Sequence, residues 1–193
     1  MKSLYKIKAL PLFITMSAAF IFGYGDLLFP MNFERLHIFL FNLTSGGFTI
    51  LYLTNKRQSN SIRLILFFLL SILFAITAFF KLYLIAALCG VILAIIVETF
   101  REERFGFFPY VFFKPRGSSS EKFHQASLLC LVIALLLSSF VIINEVYLKL
   151  FYYEKLTLDV FFLGFSFPVS LITFSIIFSI FEDHAELLKR GKA

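Results

Sequence analysis

Three histidines and a scatter of carboxylates are the side chains here best suited to move a proton or hold a metal, and they fall into two groups. Glu98, Glu102 and Glu103 close one apolar run, His124 opens the next, and Glu182, Asp183 and His184 close the last. Carboxylates and imidazoles gathered at one point suit acid–base catalysis or a divalent cation. Glu98, His124 and His184 are the candidates for catalysis; Glu98, Glu102, His124, Asp183 and His184 are the candidates for a metal. The spacing matches no recognised metal box, and solvated helix ends of mixed charge would use the same residues. Close by, Lys114, Arg116, Lys122 and His124 surround Ser118-Ser119-Ser120-Glu121, which reads as a capping box opening a helix. Cations, hydroxyls and unpaired backbone N–H groups suit a phosphate, and a lipid headgroup is the nearest source. The second group is Asp26, Glu34, Arg35, His37, Asn144, Glu145 and Asp159. Within it, Glu34, His37, Asn144 and Glu145 could line an opening for a small molecule.

The elements that must position these residues are six apolar runs, near 9–28, 36–54, 62–80, 82–98, 127–148 and 157–181. A chain 60% hydrophobic, with 29 Phe and a mean hydropathy of +0.89, is far more apolar than a soluble domain can cover. Six spans of the usual length use most of its 193 residues and leave no room for a second domain. Between Arg63 and Glu98 the only charge is Lys81. One helix over that stretch would measure about 54 Å against a bilayer core of about 30 Å, so two spans joined by a turn at Lys81 are expected.

Positive charge sorts the two groups onto opposite faces. Fourteen of the 18 Lys and Arg lie before the first run, between the second and third, between the fourth and fifth, and after the sixth; Arg35, Lys81, Lys149 and Lys155 occupy the other gaps. This bias predicts a six-helix, all-α integral membrane bundle with both termini cytoplasmic, in a bacterial inner membrane. It also accounts for the net charge of +6 without nucleic acid, since anionic headgroups are the nearest counter-charge. The basic start and Ser17-Ala18-Ala19 mimic a signal peptide, but the apolar run continues to Leu28, so a retained first helix is expected.

Small residues four apart, as in Thr15, Ala19 and Gly23 or Ala86, Gly90 and Ala94, predict close helix packing. Asn42, Ser45, Thr49 and Tyr52 form a polar sector on the second span; Ser166, Ser170, Thr173 and His184 form one on the sixth, where Pro168 predicts a bend. Cys89 and Cys130 lie inside apolar runs as packing residues. The aromatic segment at about 103–116, too apolar for free solution and interrupted by Pro109 and Pro115, predicts an interfacial or re-entrant element.

No span carries a charge near its centre, which argues against a pump built on a midplane carboxylate. The aspartate-rich motif of CDP-alcohol phosphotransferases, the histidine boxes of membrane desaturases and the Gly-x-Ser-Gly of rhomboid proteases are missing. No cofactor is expected; His124 and His184 could at most form one bis-histidine pair. Six spans with both ends inside are similar in outline to the substrate-capturing subunits of energy-coupling-factor transporters. That resemblance implies a non-catalytic ligand-binding or transport subunit working with membrane partner subunits, handling a small or lipid-like molecule. The alternatives are an inner-leaflet lipid-modifying enzyme using His124, Glu98 and His184, and a structural or electron-carrying subunit of a larger complex.

Overall fold

The computed structural model describes residues 2–29, 33–55, 62–114, 117–152 and 163–190, of which 2–9, 163 and 185–190 are described by backbone alone. The described residues form helices and no strand, and six helices are long and apolar enough to cross a bilayer. In chain order they are α1 (Lys2–Leu28), α2 (Glu34–Thr54), α3 (Ile62–Phe79), α4 (Tyr83–Phe105), α5 (Ser119–Leu148) and α6 (Ser166–Arg190). Arg116 and Asp159 lie outside the described residues, as do positions 157–162 of the sixth apolar run.

The chain turns from α3 to α4 at Lys81, which adopts φ 60°. Leu82 N–H closes the turn on Thr77 O at 2.8 Å, so a left-handed residue reverses the chain without Gly or Pro. α3, α4, α5 and α6 pack as successive neighbours, while α2 touches α1, α3, α4 and α6. The centre is aromatic: Phe39, Phe74 and Phe165 are fully buried, and Phe39 meets Phe74 edge-on at 5.1 Å. Many large apolar side chains point outward, as lipid-facing positions would.

The small residues do what their spacing predicts. Thr15 Oγ1 and Ser45 Oγ lie 2.9 Å apart across α1 and α2, and Gly90 faces Ser139 across α4 and α5. Within α2, Phe39–Gly47 is wound as a π-helix. Its two glycines bring the backbone against other helices: a Cβ at Gly46 would overlap Val169 of α6, and one at Gly47 would stand 2.7 Å from Phe67 of α3.

Two details of the sixth run differ from expectation. Its helix begins at Ser166, so Pro168 sits in the first turn, where its missing N–H costs nothing and no bend is required. Ser170 and Thr173 face outward and donate to carbonyls of their own helix rather than bonding to a neighbouring helix.

Candidate functional site

One end of the bundle collects the ends of α2, α4 and α6 and the starts of α3 and α5; we call it the basic end. Here α4 continues to Phe105 and stops at Gly106, whose φ of 81° suits a residue without Cβ. The chain then makes a short 3-10 turn, Tyr110–Phe113, with Phe107, Tyr110 and Phe113 exposed. None of these four turn residues is buried, so the segment lies outside the bundle rather than entering between the helices.

The ionisable residues of this end are mostly paired off. Buried Arg101 binds Glu98 through two nitrogens and donates to Gly106 O at 3.2 Å and Phe107 O at 2.8 Å, tying the aromatic turn to α4. Arg63 of α3 grips both oxygens of Glu103 at 2.8 and 2.9 Å. His124 is buried, with Nε2 2.8 Å from Thr54 Oγ1 and Phe105 edge-on at 5.7 Å. Glu102, Asp183 and His184 are exposed. No hydrogen bond joins His124 to Glu98 or His184, and among the described residues no group of three or more His, Cys, Asp or Glu is arranged to hold a metal ion.

The helix N-terminus singled out for phosphate holds an anion supplied by the chain itself. Ser118 caps α5 by accepting from Glu121 N–H at 3.3 Å. Glu182 of α6 accepts from Ser118 Oγ at 2.5 Å, Ser119 N at 2.8 Å and Ser120 N at 3.4 Å. A tethered carboxylate thus uses the donors a phosphate would need. Lys114 stands exposed nearby, and the Lys122 stem runs along Gly117. Glu182→Gln is expected to lower stability by about 1 kcal/mol, because a neutral amide keeps the reach but loses the charge facing the helix dipole. Thermal unfolding in detergent measures this.

Above that latch lies a groove of about 300 Å³ between α5 and α6, reaching Leu53 of α2 and Arg104 of α4. Ser120, Ser175, Ser179 and His124 give it one polar side; Ile172, Ile176 and Ile180 give it an apolar one. Ser120 and Ser175 are spent on each other, each hydroxyl donating to the other's carbonyl at 2.8 Å. Arg104 differs from its neighbours. Its Nη1 donates to Leu53 O at 3.0 Å, and among the described residues no carboxylate forms an ion pair with it, although Glu121 is near enough to act on its charge. Gln125, beside His124, is fully buried with both amide atoms lacking a partner among the described residues.

The sequence reading missed Arg104, Ser175 and Ser179. One pointer was available: three arginines and three glutamates share this end of α3 and α4, but their pairing depends on helix rotation.

At the far end the second group divides. Asp26 Oδ1 accepts Phe33 N–H at 2.7 Å and Glu34 N–H at 3.2 Å, holding the start of α2, and His37 packs against α1. Asn144 instead closes the end of α5: its Oδ1 accepts Leu150 and Phe151 N–H, and its Nδ2 donates to Phe151 O at 2.7 Å. Asn144 and Glu145 are not among the residues lining the opening beside Glu34 and His37.

The fold and site define an all-helical bundle with six candidate membrane-crossing helices and a half-polar groove at one end. Comparison with protein-family models, curated proteins and solved structures finds no match to this chain.

Proposed function

We propose that the protein is a multi-pass protein of a bacterial inner membrane, both termini cytoplasmic, that binds an acidic amphiphile at its basic end without transforming it. The observation that carries this reading is Arg104, a cation in a groove that makes no ion pair or hydrogen bond with a described carboxylate, Glu121 acting on it only through its field. A guanidinium keeps its charge at any physiological pH and presents a planar fork of donors suited to carboxylate or phosphoryl oxygens. Ser179, with no side-chain hydrogen bond among the described residues, adds a hydroxyl, and Ile176 and Ile180 offer exposed apolar surface for a tail.

The non-catalytic part rests on how the other groups are used. Nucleophilic catalysis needs a hydroxyl within reach of a base. Here the hydroxyl nearest a base, Thr54 Oγ1 at 2.8 Å from His124 Nε2, is buried and donates its proton to Ile50 O at 2.7 Å, and the Ser120 and Ser175 hydroxyls donate to backbone carbonyls. The positive charge of the sequence, concentrated at this end, supports the cytoplasmic orientation. The aromatic turn 106–113 fits the interfacial layer there. Partner subunits belong to this reading as receivers of the bound molecule.

Native mass spectrometry of the detergent-purified protein with phosphatidylglycerol and phosphatidylcholine tests it. The wild type is expected to retain the acidic lipid, and Arg104→Gln to retain about tenfold less, the loss of a charge-assisted hydrogen bond. Equal retention of both lipids, or no change in Arg104→Gln, overturns the proposal.

A further inference from the structure

The far end holds a second cavity, opposite in character to the groove. It measures about 270 Å³, is open to the outside, and lies between α1 and the first turn of α2. That volume falls just below the usual range for drug-sized ligands, so any occupant is small. Phe20 and Tyr24, four residues apart on one face of α1, provide two rings; Asp26 and Glu34 provide carboxylates; His37 completes the polar lining.

The hydrogen bonds fix what this lining can offer. His37 Nδ1 lies 2.7 Å from the carbonyl of Ala19. A carbonyl only accepts, so Nδ1 carries the proton, and in the neutral ring Nε2 is left as a bare acceptor. This close approach exists because residue 23 is glycine: a Cβ there would stand 2.8 Å from Nδ1. Asp26 is held in place by the two N–H groups it accepts at the start of α2. Among the described residues the polar lining is therefore two carboxylates and an imidazole acceptor, with the Tyr24 hydroxyl as one further group. Arg35 follows Glu34 in the chain but is not among the lining residues.

A site made of acceptors is complemented by a donor, and carboxylates favour one that is charged. Aromatic rings beside them attract a cation and repay less to a neutral donor. The same residues are not arranged as a metal site. The geometry points to a binding site for a small organic ammonium ion between Phe20, Tyr24, Asp26, Glu34 and His37. The ammonium hydrogens meet the carboxylates and the alkyl part lies on the rings. This site is independent of the Arg104 groove.

Isothermal titration of the full-length protein in neutral maltoside detergent tests the site, with butylammonium as probe and 1-butanol as its uncharged counterpart. Butylammonium is expected to bind saturably and 1-butanol not to. Glu34→Gln is expected to weaken butylammonium about tenfold, Tyr24→Leu to weaken it several-fold, and Glu102→Gln at the opposite end to leave it unchanged. Glu34 and Tyr24 are both exposed, so neither change removes a core contact. Equal binding of butanol, indifference to both Glu34→Gln and Tyr24→Leu, or equally tight saturable magnesium binding overturns the assignment.

Discussion

Arg101→Ala is expected to be the most damaging single change described for this bundle, lowering stability by about 3 kcal/mol. Arg101 is 3% exposed and holds three partners at once: the Glu98 carboxylate and the carbonyls of Gly106 and Phe107. Alanine removes all of these bonds. Glu98 can turn to water because its side chain is 34% exposed, which keeps the cost below that of a fully buried ion pair. The two carbonyls lose the group that folds the turn back onto α4. Arg101→Lys keeps the charge but offers a point ammonium instead of a fork, so it should recover under half of the loss. Thermal unfolding in detergent gives the stability, and limited proteolysis after Phe107 and Tyr110 reports release of the turn. Wild-type unfolding and cleavage in Arg101→Ala would show that the aromatic turn is held by something else.

Gly90→Ala is expected to cost about 2 kcal/mol, and the change is informative because it has a designed rescue. Gly90 lies where α4 packs directly on α5. A Cβ there would overlap Ser139 Oγ and press on Leu135 O and the Phe74 ring, both at 3.4 Å. Ser139 Oγ is already fixed by donating to Leu135 O at 3.0 Å, so it cannot swing away without leaving a buried hydroxyl unpaired. Ser139→Ala removes the obstructing atom. The double variant should regain about 1 kcal/mol, read as a coupling in a double-mutant cycle of unfolding midpoints. Strict additivity would mean that the helices separate locally instead of competing for one position.

How far the sequence could be read differs between fold and site. Helix number, order and approximate bounds follow from apolar run length, because a helix at 1.5 Å per residue must match a bilayer of fixed thickness. The turn at Lys81 was accessible for the same reason. Since only Gly, Ala, Ser and Thr let backbones approach, small-residue spacing likewise located the contacts of Thr15 with Ser45 and of Gly90 with Ser139, though not those at Gly46 and Gly47. The polar sector of α6 did not yield so easily. Ser170 and Thr173 turned outward while Ser175 and Ser179 turned to the groove, and both sets fit a helical wheel.

The sequence by itself determined that six apolar helices form, and which residues sit near each end, because those are properties of chain length, hydropathy and local spacing. Only the tertiary structure decided which charges meet. Glu182 rather than an outside anion caps α5, Glu98 and Glu103 take Arg101 and Arg63, and Arg104 keeps no carboxylate among the described residues. Those pairings depend on helix rotation and relative height, to within a few ångströms, and no single-chain pattern encodes either. The physical reason is range: hydropathy acts over a whole span, whereas a hydrogen bond is lost beyond about 3.5 Å.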